Sequence, residues 1–131
     1  MNIVLIANDV KKILMQNFCV AYKNILKKHE LYATASTGAM IEQVTNLTIH
    51  KYAYGPLGGA EQICIQIENN MVDLVIFLRD PNMPPSHRQL ATNIFKQCDM
   101  HNIPISTNLA TAELFVQGLI NGDLEKSHEN D

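Results

Sequence analysis

The chain has 131 residues, enough to bury a sizeable apolar core and short for two ordinary domains. Hydrophobic residues make up 47% and charged residues 18%, the balance of an ordinary globular protein. The net charge of −3 excludes the basic footprint that sequence-independent binding to a nucleic-acid polymer requires.

Cys19, Cys64 and Cys98 are odd in number, widely spaced and free of any CxxC pair. That argues against structural zinc and against a disulfide framework, and for reduced thiols in a cytoplasmic protein. The opening "MNIVLIAND" meets Asp9 before a signal-peptide core could form. No apolar run approaches the roughly 20 residues of a membrane helix. No metal or other cofactor and no membrane partner is expected.

"NIVLIAN" (2–8) is β-branched and nearly all apolar, the pattern of a strand buried on both faces. Asp9 is placed to cap a helix running from Val10 to about His29, whose apolar residues recur at helical spacing. "ELYATAS" (30–36) is a second strand, and a short helix follows Gly38. "TIHKYAY" (48–54) alternates as a third strand, and a glycine turn then leads into a helix over about 57–69. "MVDLVIFL" (71–78) is the clearest buried strand. "RDPNMPPS" (79–86) cannot be helical, and Ser86 with Gln89 forms a capping box for a helix to about Met100. "IPIST" (103–107) and "TAELFVQGLI" (111–120) are the last strand and helix, and the tail 123–131 is polar and expected to fray.

Strand and helix alternate five times, which predicts a three-layer α/β domain over residues 1–122 with a mainly parallel, five-stranded sheet. Ligands of such sheets bind beyond the carboxyl ends of the strands. Those ends carry Asn8–Asp9, Thr34–Gly38, Tyr54–Gly59, Arg79–Asp80 and Ser106–Asn108. Thr34, Ser36, Thr37 and Gly38 combine hydroxyls with a helix start, which suits a phosphate; a plain N-cap accounts for the same residues. "GPLGG" is a second such turn, and Lys12 stands one turn into the first helix. Lys12 could meet a phosphate as a point charge or simply be solvated. Asp80 ends the strongest strand, where it caps a loop or serves as a catalytic carboxylate, and His87 follows the proline loop as a donor or acid or as a solvated loop histidine.

Together "IAND" with Lys12, "LYATASTG", "GPLGGAEQ", "DLVIFLRDP", His87 and "IPISTNLATAE" resemble the methylglyoxal synthase family over about residues 2–120. The resemblance implies a five-stranded, mainly parallel sheet, assembly as a homohexamer, and metal-free conversion of dihydroxyacetone phosphate to methylglyoxal and phosphate. In that reaction a carboxylate removes a carbon-bound proton, an enediolate forms and phosphate is eliminated. The family's phosphate grip maps onto Lys12, Thr34, Thr37, Gly38 and Gly55, with Ser36 replacing a threonine. Its histidine maps onto His87 and its DP aspartate onto Asp80.

The departures fall on the chemistry. The family's "GGDQQ" is "GGAEQ" here, so the general base position is Ala60. A second aspartate position is Leu90, a histidine position is Asn8, and the small serine before "GP" is Tyr54, whose ring offers a stacking face. An alanine cannot take a proton. Glu61, next to it, points about 100° away on a helix start. The resemblance thus implies a protein that binds a phosphorylated small molecule or nucleotide without turning it over, as a sensor or as a sponge for a signal nucleotide. The alternatives are an active methylglyoxal synthase with Glu61, Asp9 or Asp80 as a relocated base, and an altered chemistry on another phosphate compound.

Overall fold

The computed structural model describes residues 1–52 and 58–124. These residues form, in order, β1 (Asn2–Ala7), a 3-10 turn (Asp9–Lys11), α1 (Lys12–Ala21), α2 (Lys23–Leu26), β2 (Glu30–Ala33) and α3 (Ala35–Thr45). Then come β3 (Ile49–Lys51), α4 (Gly58–Glu68), β4 (Leu74–Leu78), α5 (Pro85–His101), β5 (Ile105–Ser106) and α6 (Leu109–Asn121). The five strands make one sheet in the order β3-β2-β1-β4-β5, every neighbouring pair parallel. This is the expected α/β sheet, and it is parallel throughout.

The two all-apolar runs make the two central strands. Ile3, Val4 and Leu5 of β1 and Leu74, Val75 and Ile76 of β4 are fully buried. Strand alternation sends Ile3, Leu5, Leu74 and Ile76 to one side, against Met15, Phe18, Leu26, Ile41 and Val116 of α1, α2, α3 and α6. Val4, Ile6, Val75 and Phe77 go to the other, against Ile63 and Ile67 of α4 and Ala91, Ile94 and Cys98 of α5. Each of the buried Val, Leu, Ile, Phe and Met side chains among them contributes about 1.5–3 kcal/mol by leaving water.

Several boundaries differ from the sequence reading. The first helix is not continuous to His29: it breaks at Tyr22, whose hydroxyl donates to Glu113 Oε2 of α6 at 3.1 Å. Asp9 does not cap it: Asp9 opens the 3-10 turn, whose cap is Asn8, and Lys11 holds the cap position of α1. The second strand ends at Ala33 and α3 begins at Ala35, because the ladder to β3 runs out at Ala33–Lys51. Ser86 is not the cap of α5. The helix begins at Pro85, whose ring presets the backbone angle of a first helical residue. Leu124, within the segment read as a fraying tail, packs on the core beside Gly118. Residues 125–131 lie outside the described residues.

Candidate active site

The strand order reverses between β1 and β4, because the chain builds β2 and β3 on one side of β1 and then crosses to the other. A crevice opens at such a point beyond the carboxyl ends of the strands. Here it is a cleft of about 590 Å³, lined by Asn8, Asp9 and Lys12 after β1, Thr34, Ser36 and Thr37 after β2, Gly59 and Ala60 of α4, and Asp80, Met83 and His87 after β4. Residues far apart in sequence converge because each follows the end of a parallel strand.

The start of α3 forms one wall. Thr34 is its extended N-cap, and its side chain caps nothing. The first intrahelical bond runs from the Gly38 N–H to the Thr34 carbonyl at 2.8 Å. The N–H groups of Ala35, Ser36 and Thr37 therefore have no partner within the helix, and they carry the positive end of its dipole. Thr37 is 1% exposed, and its Oγ1 is buried with no hydrogen-bond partner among the described residues. A buried, unsatisfied hydroxyl costs about 1–3 kcal/mol, so its position calls for an acceptor or donor from outside. Lys12 Nζ lies 3.1 Å from Ser36 Oγ and 3.2 Å from Asp9 Oδ1, bringing a cation to the same wall. Together these groups set free N–H groups, an unpaired hydroxyl and a cation along one wall.

Asp80 closes β4. Its N–H donates to Asn8 Oδ1 at 2.8 Å, and its Oδ1 accepts the Asn82 N–H at 2.8 Å. The proline loop is pinned by Met83 N–H to the Asp80 carbonyl at 3.2 Å and by Arg88 Nε–H to the Met83 carbonyl at 3.1 Å. His87 then enters the cleft from the first turn of α5. Asp9 sits at the mouth, its side chain 93% exposed.

Two candidates do not reach the cleft. Glu61 lines a second groove of about 360 Å³ between α4 and α5, with Cys64, Ile65 and Gln97; Ala60 borders both that groove and the cleft, and Glu61 only the groove. Leu90 lies in that groove too, so the position of the family's second aspartate does not line the cleft here. Gly38 does not contact the cleft: its N–H is used within α3, and a Cβ there would lie 2.8 Å from Lys51 Cγ. The glycine serves the close packing of α3 on β3. Tyr54 and Gly55 lie outside the described residues. In the sequence Asn8 stands out as part of a strand end and as a departure from a family pattern, without a partner. Its contact spans 72 residues, and no local spacing signals it.

Among the described residues no three His, Cys, Asp or Glu side chains gather as metal ligands, and no helix is long and apolar enough to cross a membrane.

The MGS-like domain family model matches residues 15–107. The methylglyoxal synthase of Caldicellulosiruptor saccharolyticus is 52% identical over 124 residues, covering 95% of this chain and 88% of that protein. The methylglyoxal synthase of Listeria welshimeri is 47% identical over 125 residues, covering 95% and 93%. A crystal structure of methylglyoxal synthase from Elizabethkingia anophelis superposes with a TM-score of 0.79 at 30% identity, over 88% of this chain and 76% of that one. The relatives carry the enzyme's name, which favours the enzyme alternative over the ligand-holding one. With the family model across most of its length and these relatives along nearly all of it, the chain belongs to the MGS-like family, among proteins named methylglyoxal synthase.

Proposed function

We propose that the chain is a phosphate lyase of the methylglyoxal synthase type, taking dihydroxyacetone phosphate to methylglyoxal and inorganic phosphate. The observation that carries this is the buried, unpartnered Thr37 Oγ1 at the start of α3, in one cleft with Lys12, Asp80 and His87. The phosphate sits on the free N–H groups of α3, with Thr37 and Lys12 supplying a hydroxyl donor and a positive charge. Those contacts stabilise the leaving group as its charge grows.

Asp80 takes the base role that Ala60 cannot fill. Asp9 is nearly fully exposed and paired with Lys12, and Glu61 faces the other groove, which leaves Asp80 as the carboxylate held in place in the cleft. Its carboxylate takes the proton from the hydroxyl-bearing carbon, and the electron pair moves onto the carbonyl oxygen, where His87 donates a hydrogen bond. The oxygen on the middle carbon takes up a proton, and the terminal hydroxyl of the enediol gives one up. The electron pair released forms the aldehyde carbonyl while the double bond shifts and the carbon–oxygen bond to phosphate breaks. The enol left behind takes a proton on its terminal carbon and loses the hydroxyl proton, which gives methylglyoxal.

A second reading is favoured by Ala60, a methyl group on the cleft wall. In it the same wall holds a phosphorylated metabolite or nucleotide without turnover. Incubation with dihydroxyacetone phosphate separates the two. The lyase reading expects equal amounts of methylglyoxal and phosphate, and about a 100- to 10,000-fold loss in Asp80→Asn. Saturable binding with no product would instead establish the second reading.

A further inference from the structure

We propose that Asn8 is a positioning residue for Asp80, its side-chain carbonyl standing in for a backbone carbonyl at the end of the β1–β4 ladder. The register pairs Ile3 with Leu74 through Ala7 with Leu78. The next rung starts normally: the Asn8 N–H donates to the Leu78 carbonyl at 3.2 Å. In a parallel ladder the Asn8 carbonyl should then accept the Asp80 N–H. It does not, because the chain turns and that carbonyl accepts the Lys11 N–H at 2.8 Å. Asn8 Oδ1 takes the vacated place and receives the Asp80 N–H at 2.8 Å.

The choice of partner is unusual for the position. An asparagine at a cap ordinarily turns its side chain onto the helical N–H groups that follow. Asn8 stands at the cap of the 3-10 turn and makes no such bond. Its amide reaches across to β4 instead, over the point where the strand order reverses. One side chain thus lets β1 turn away toward Asp9 and Lys12 while β4 keeps its rung. The next residue held is Asp80, whose Oδ1 is already tied to Asn82, which fixes how its other oxygen meets the cleft. A loosened carboxylate loses rate rather than substrate affinity, since the phosphate is gripped elsewhere, at α3.

The catalytic half of this inference rests on the lyase reading; the clamp itself does not. The test compares Asn8→Leu, close in shape but without an acceptor, with Asn8→Asp, which keeps one. Asn8→Ala serves if the leucine variant does not fold. With dihydroxyacetone phosphate, kcat should fall by about 100-fold in the leucine variant with KM within a few-fold, and return to within about tenfold of wild type in the aspartate variant. By amide hydrogen exchange, the Asp80 N–H should exchange about tenfold faster in the leucine variant and be protected again in the aspartate variant. An unchanged Asp80 exchange rate overturns the clamp. Faster exchange with unchanged kcat, or a kcat loss that aspartate fails to rescue, overturns the catalytic role. If the wild-type protein has no turnover, the lyase reading fails alone, and the exchange rates still decide whether the clamp exists.

Discussion

Thr37→Val should move stability and affinity in opposite directions. Valine copies the shape of threonine and the stiff rotamer of a β-branched side chain, so the packing around a residue 1% exposed is kept. What disappears is a buried hydroxyl with no partner among the described residues. Relief of that penalty, about 1–3 kcal/mol at most, should hold or raise the stability of the ligand-free protein, a gain of several degrees in Tm for a chain of this size. The same hydroxyl is worth about 1.5–3 kcal/mol as a donor to a charged phosphate, so affinity should drop by about 10- to 150-fold. Thermal unfolding without ligand and calorimetric titration with inorganic phosphate or dihydroxyacetone phosphate read the two effects separately. A variant that unfolds several degrees lower while binding phosphate as tightly as wild type would show that Thr37 is a packing residue and that phosphate binds elsewhere.

Glu61→Gln should leave turnover and phosphate affinity within about twofold of wild type, since Glu61 faces the α4–α5 groove; a large loss in steady-state assays would mean that the start of α4 rewinds when substrate binds. Ala60→Asp should raise turnover if the position still admits a base, and methylglyoxal assays of that variant against wild type measure how far Asp80 falls short. Burial pushes the Cys19 thiol from 9.0 up to about 12, so the folded state binds a proton that the unfolded chain has released. Its contribution is fully present below about pH 9 and is lost as pH rises toward 12, at about 1.4 kcal/mol per pH unit. Burial pushes the Cys98 thiol up to about 12 as well, so urea unfolding at several alkaline pH values should show a slope steeper than that, and Cys19→Ala should flatten it by the Cys19 share. Asn108→Ala should cost about 1 kcal/mol in the same experiment, because Asn108 Oδ1 caps α6 by accepting the Thr111 N–H at 3.0 Å.

The sheet and the general location of the cleft were legible in the sequence. "NIVLIA" and "LVIFL" contain nothing but Asn2 that could face water, and strands of that kind belong at the centre of a parallel sheet. Once the alternation was read, the strand ends followed, and with them Lys12, Thr34, Ser36, Thr37, Asp80 and His87 in one cleft. The start of α3 was misread because "YATAS" offers small and β-branched residues that suit a strand as well as a cap, and only pairing with the three-residue β3 decides where β2 stops. The start of α5 was misread because a capping-box pattern at Ser86 competed with a proline at the first helical position, and the proline won. Leu90 was placed at the cleft by resemblance, whereas its direction depends on how α5 packs on α4. Asn8 shows the limit most plainly. Its importance comes from a carbonyl that turns the wrong way at the end of a ladder, a property of two strands 72 residues apart and of neither sequence segment alone.

The most direct measurement is a crystal structure of the protein grown with dihydroxyacetone phosphate or inorganic phosphate. The account predicts a phosphate at the N-terminus of α3, with its oxygens within hydrogen-bond distance of Thr37 Oγ1 and Lys12 Nζ. Phosphate held instead in the groove between α4 and α5, or a cleft that stays empty under conditions where titration detects binding, would contradict it.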